Sequence, residues 1–129
     1  MISTEASTES VARSYIDAVG AGNLETLETL FDERMLAVFA GGRLDKGEWT
    51  AALRRLLPIL VRNDIREVFV TGQRACVVYD FVTDTPAGAV VCVELITVSD
   101  GRITEVELVL DRVAFAPVQV ALQERASER

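Results

Sequence analysis

The chain has no histidine, a single lysine (Lys46) and only two cysteines among its 129 residues. Without histidine there is no Ser-His-Asp triad, no Cys-His pair and no imidazole ligation of a metal. Acid–base work must then fall to carboxylates, tyrosine, cysteine or Lys46. Basic charge is also scarce: 13 Lys and Arg stand against 20 Asp and Glu, a net charge of −7. That sign argues against nucleic acid, whose binding needs a basic patch to displace counterions, and against anionic membranes. No apolar run approaches the roughly 18 residues of a membrane span. The opening MISTEASTES lacks the basic and apolar blocks of an export signal. A cytoplasmic location is expected, where thiols stay reduced, so Cys76 and Cys92 read as small buried hydrophobes rather than as a disulfide.

What is present is ordinary for a globular protein: 50% of residues are hydrophobic and 26% charged. The length suits one domain spanning 1–129, with flexible polar ends at about 1–6 and 124–129. Arginine outnumbers lysine by 12 to 1 and alanine is abundant, a composition that suggests a GC-rich bacterial source.

Periodicity predicts a first helix from about Thr8 to Ala21, with Val11, Tyr15 and Ala18 on one stripe and Ala12, Ile16 and Val19 beside them. Gly22 suits the position past its end, and Asn23 caps a second helix, LETLETLF. MLAVFA reads as a strand and GGR as a turn. Asp45 and Glu48 form a capping box that opens a helix through Trp49, Leu53 and Leu56, ended by Pro58. Four strands follow, at roughly 62–71, 74–84, 89–98 and 102–115, joined by TGQ, TPAG and SDGR turns. Helices first and an antiparallel meander afterwards imply an α+β fold, with N-terminal helices packed on one face of a curved sheet.

Two carboxylates interrupt otherwise apolar strands in VVYDFVTDTPAGAVVCVEL, at Asp80 and Glu94. A turn centred on Ala87 would set Asp84 against Val90, Val82 against Cys92 and Asp80 against Glu94. The two acids would then lie about 4.5–5.5 Å apart at Cβ, which predicts a shared proton and a raised pKa. On the last strand Val106, Leu108 and Leu110 form the apolar row, and Glu105, Glu107, Val109 and Asp111 the other. A turn with Gly101 in a bulge sets Leu108 beside Glu94, whereas a plain two-residue turn would set Glu107 there and bury acids. The bulged register is preferred, and it points Asp80 and Glu94 inward. Two converging carboxylates are too few for a carboxylate metal site, which wants three or more oxygen ligands.

The stretch SYIDAVGAGNLETLETLF resembles the first two helices of the nuclear transport factor 2-like superfamily, and VSDGRITEVELVLDRVAF resembles its last hairpin. The resemblance, of the SnoaL-like kind, spans nearly the whole chain and implies a cone-shaped α+β fold. It also implies kinship with ketosteroid isomerases, limonene epoxide hydrolases, polyketide cyclases and non-enzymatic binders. In the isomerase pattern Tyr15 matches the helix tyrosine that donates to the developing oxyanion, and Glu94 matches the protonated acid beside it. The isomerase base falls near Phe39, which cannot take a proton. In the epoxide hydrolase pattern Asp80 matches an acid aspartate, while that family's arginine and second aspartate fall at Val78 and Leu108. Neither pattern transfers whole.

The constellation that remains is Tyr15, Asp80 and Glu94 on an apolar pocket lined by Val38, Phe39, Trp49, Val78, Val82, Val90, Cys92 and Leu108. It implies a cofactor-free, metal-free acid–base enzyme acting on a hydrophobic polyketide- or terpenoid-like molecule by isomerisation, cyclisation or epoxide opening. Asp80 is the expected base and Glu94 the expected acid, with the reverse assignment open. Alternatively, Tyr15 is a core aromatic and the domain a non-catalytic binder or dimerisation module. The rows Val77, Tyr79, Phe81 and Val91, Val93, Leu95 are assigned to the outer sheet face, apolar enough to predict a homodimer through it.

Overall fold

A computed structural model describes residues 3–127 of the chain. The first helix, α1 (Thr4–Gly20), starts earlier than its apolar stripe because Ser3 caps it, Oγ accepting from the Ala6 amide at 3.1 Å. Its first turns are fastened to the sheet. The Thr8 hydroxyl reaches both Thr4 O and Gly72 O at 2.9 Å, and Glu5 accepts from the Gly72 amide at 3.1 Å. Residues 3–6, where a flexible start is expected, form the cap and first turn of this helix, and positions 1–2 lie outside the described residues. Gly22, at φ +69°, breaks the chain. Asn23 then caps α2 (Leu24–Leu30) by accepting from Thr26 N at 3.1 Å, as its side chain predicts.

Strand β1 (Phe31–Phe39) begins four residues before the expected MLAVFA; of GGR, Gly41 lies in the turn as expected, while Gly42 and Arg43 open a short strand, β2 (Gly42–Leu44), paired antiparallel with β1. Both halves of the capping box at Asp45 and Glu48 are present at the start of α3 (Lys46–Leu56). The lone lysine has a structural task there. Lys46 Nζ donates to Glu28 O and Phe31 O at 3.3 Å and meets the Glu33 and Glu28 carboxylates at 2.8 and 3.0 Å, tying α3 to the α2–β1 junction.

The meander follows as β3 (Leu60–Thr71), β4 (Arg74–Thr83), β5 (Ala89–Ser99) and β6 (Arg102–Leu110). The strand expected over 102–115 stops at Leu110, and the chain turns into α4 (Arg112–Ser127). Val113, Ala114 and Phe115 continue a strand-like pattern. Asp111 Oδ1 overrides it by accepting from the Val113 and Ala114 amides at 2.9 and 3.2 Å, which caps the new helix. Residues 124–127, expected to be a flexible tail, form its last turn, while 128–129 lie outside the described residues.

The sheet has order β2-β1-β6-β5-β4-β3, with β1 parallel to β6 and all other pairs antiparallel. It is mixed, curved and unclosed, and with the four helices it makes the α+β cone that the sequence predicts. α1 lies against β3 and β4. The core between them is built from Tyr15, Ile16, Leu27, Phe31, Ile96 and Val106, all at most 1% exposed. Among the described residues no helix is long and apolar enough to cross a membrane.

Two registers decide which side chains face that core. In the β4–β5 hairpin Tyr79 pairs with Cys92, Asp80 with Val91 and Val77 with Glu94. The expected pairing of Asp80 with Glu94 is displaced by three residues. The cause lies in the turn: Thr83 N donates to Gly88 O at 2.9 Å, Thr83 Oγ1 holds the same carbonyl at 2.8 Å, and Asp84 N leaves the hairpin for Ile59 O at 3.0 Å. The loop is thus centred before Pro86 rather than on Ala87. An odd displacement inverts the faces, so Val77, Tyr79 and Phe81 point inward and are buried, contrary to their assignment to the outer face. In the β5–β6 hairpin, Asp100 (φ 52°) and Gly101 (φ 76°) form a two-residue turn, and a bulge between the Thr97 and Val98 pairings then restores Glu94 opposite Leu108. That pairing is the expected one, reached through a bulge placed beyond the glycine.

Candidate functional site

Glu94 is the charged group that the inward row of β5 carries into the core, at 3% exposure. Its strand neighbours explain the setting: Leu108 pairs with it on β6, and Tyr79 stands on the same face of β4, two residues beyond its partner Val77. Tyr79 Oη donates to Glu94 Oε1 at 2.6 Å, a short charge-assisted bond, while Glu94 Oε2 has no protein partner. Burial is the largest influence on this carboxyl and raises its pKa from 4.5 to about 7, against the opposing pull of the Tyr15 and Tyr79 hydroxyls.

Tyr15 lies behind this pair. Its hydroxyl accepts from Trp49 Nε1 at 3.2 Å, and its ring meets Phe31 edge-on at 5.5 Å. It is close enough to favour the Glu94 carboxylate, yet it makes no bond to it of the kind Tyr79 makes. Burial, followed by the charge of Glu94, lifts both phenols well above their ordinary range, so both stay protonated donors. The Cys92 thiol is pushed up to about 12, first by burial and then by Glu94, which leaves no thiolate for nucleophilic work.

Glu94 and Tyr79 form part of the wall of a cavity of about 280 Å³ between the concave sheet face and the helices. Of the residues expected to line a pocket, Phe39, Trp49, Cys92 and Leu108 do so. Tyr15 is fully buried and does not contribute to the wall. Val90 shares the inward row of Cys92 but lies towards the hairpin turn, away from the cavity.

Four expected positions lie elsewhere, three of them because of the hairpin register. Asp80 stands on the outer face opposite Val91, its carboxylate held by Arg66 at 2.9 and 3.1 Å. Val78 and Val82 share that outer row, in register with Val93 and Ala89. Val38 alternates with Phe39 and faces outward in register with Glu107. The structure therefore unites Tyr15 and Glu94 but separates both from Asp80.

Tyr79 is the site residue that the strand pattern hides, since only the correct hairpin register turns it inward. Phe115, Gln119 and Leu122 also line the cavity from α4, an element absent from the expected strand order. Asn63 adds a polar group from β3. Its amide donates to Ile16 O at 3.0 Å and its Oδ1 is unpartnered.

Comparisons with known proteins agree with this architecture. The model of the SnoaL-like domain matches residues 12–106. A crystal structure of a protein from Kribbella flavida DSM 17836 is 26% identical and superposes with a TM-score of 0.78, covering 89% of this chain and 95% of that one. Wild-type IdmH from Streptomyces antibioticus, provisionally assigned as a polyketide cyclase, is 16% identical with a TM-score of 0.77, covering 87% and 97%. A second Kribbella flavida structure, provisionally assigned as a ketosteroid isomerase, is 16% identical with a TM-score of 0.74, covering 86% and 82%. No curated protein matches the sequence.

Proposed function

The chain belongs to the SnoaL-like domain family, and from that premise we propose that it catalyses cofactor-free proton transfer on an apolar, enolisable carbonyl compound bound against Glu94 and Tyr79. The observation that carries this reading is the 2.6 Å bond from Tyr79 to a buried carboxylate on the wall of an apolar cavity. A carboxyl with a pKa of about 7 is divided between base and acid near neutral pH, which suits general acid–base work.

In the reaction, Glu94 Oε2 accepts a proton from the carbon next to the substrate carbonyl. The C–H electron pair becomes the enolate double bond and the carbonyl π pair moves onto oxygen. As Glu94 loses its charge it needs the Tyr79 hydrogen bond less, and that donor turns to the oxygen where charge develops. The phenol therefore favours the transition state over the ground state. Return of the proton to another carbon gives isomerisation; attack of the enolate carbon on a second carbonyl, whose π pair moves onto its oxygen and takes the proton back from Glu94, gives cyclisation. Tyr15 acts from behind as a positioning residue, holding Trp49 and lowering the cost of the Glu94 charge. Asp80 stands on the far side of the sheet, so epoxide opening through it finds no support in this geometry.

The test follows α-proton exchange of small cyclic ketones in heavy water by NMR. Exchange should rise with pH through about 7, as Glu94 ionises, and Glu94→Gln should lower it by at least about 100-fold. Ketone binding without exchange in the wild type would instead identify a binding module of the same fold.

A further inference from the structure

The cavity wall carries polar groups at two levels, on a largely apolar lining. Arg55, on α3, and Gln119, on α4, line it and are exposed, whereas Glu94 and Tyr79 line it from the buried side. Among the described residues Arg55 has no salt-bridge or hydrogen-bond partner, although the chain carries a net charge of −7. Arg54 precedes it on the same helix, is also exposed, and does not line the cavity. Helix-end charge compensation would be served by either arginine. Only Arg55 is placed to meet a bound molecule.

We propose that Arg55 selects an amphipathic carboxylate: a substrate with an apolar, carbonyl-bearing body in the cavity and an anionic end at its mouth. Guanidinium suits this task, since its planar fork matches a carboxylate through two parallel N–H bonds, and the Gln119 amide, also on the cavity wall, offers a further donor. The buried Glu94 sets the orientation. An anion placed deep would face a second negative charge in a poorly solvated site, so the charged end is driven outward to Arg55. Arg55 thereby presents the reactive carbon to Glu94 in one direction. This inference rests on the cavity being the ligand site, as proposed above, and names the class of molecule it takes.

The experiment measures binding rather than turnover. Trp49, the single tryptophan, lines the cavity and reports occupancy through its own fluorescence. Octanoate and octanamide, nearly equal in shape and different in charge, are titrated into wild type, Arg55→Gln and Arg54→Gln. Wild type should bind octanoate at least about tenfold more tightly than octanamide. Arg55→Gln should abolish the preference by weakening octanoate binding, and Arg54→Gln should retain it. Equal affinities in wild type, or loss of the preference to the same extent in both variants, would overturn the inference and leave the proton-transfer reading intact. Failure of octanoate to perturb Trp49 would also overturn it. Ketone exchange, measured separately, shows whether the proton-transfer reading falls with it.

Discussion

Burying the Glu94 carboxyl between Tyr79, Cys92 and Leu108 removes it from water, and the two tyrosine hydroxyls offset only part of that loss. The consequence is a pH-dependent stability. The folded protein keeps this proton until about pH 7, whereas the unfolded chain gives it up near 4.5. Between those values the folded state binds more protons, so stability falls as pH rises through the window, by about 3 kcal/mol in all, and is level above it. Urea denaturation at a series of pH values should show this slope in wild type and lose it in Glu94→Gln. Tyr79→Phe removes a hydrogen bond that favours the carboxylate, so the upper end of the window should move above pH 7, as read by NMR titration of the side-chain carboxyl.

At the scale of elements, the approach of α1 to β3 depends on one small residue. A Cβ on Gly20 would sit 2.6 Å from Asn63 N and 3.1 Å from Asn63 Cβ. The neighbour includes backbone, so it cannot swing aside. Gly20→Ala should therefore destabilise the fold by about 1–3 kcal/mol, despite alanine's better helix propensity, and calorimetry would register it as a lower Tm. The same displacement moves Asn63 on the cavity wall, so ketone exchange should fall with it.

For the whole molecule, the outer sheet face invites a partner. In the observed register its apolar residues are Val78, Val93 and Val109 in one row and Phe69, Cys76 and Leu95 in the next, with Phe69 at 57% and Val109 at 51% exposure. The earlier assignment of Val77, Tyr79 and Phe81 to this face gives way to their neighbours, and the reason for expecting a homodimer passes to these rows. Light scattering at micromolar concentration should give twice the chain mass, and Val93→Glu should halve it without loss of helix or strand signal. A wild-type monomer would refute the dimer.

Several features needed only the sequence. The absence of histidine, the net charge, the caps at Asn23 and Asp45 and the α+β order depend on composition and on contacts within a few residues, which local chemistry dictates. The apolar row of β6 and its pairing with Glu94 followed from the cost of burying Glu107 instead. The partner of Glu94 did not. Whether Asp80 or Tyr79 shares its face turns on a three-residue difference in hairpin register, which Thr83, Gly88 and the distant Ile59 carbonyl set together. The last helix was likewise hidden, because Val113 to Phe115 suit a strand until Asp111 caps them and Phe115 and Val118 find the core. Sequence thus determined that a carboxylate would be buried on β5. Only tertiary structure decided which hydroxyl meets it and which helices close the cavity around it, because those choices rest on contacts between residues far apart in the chain.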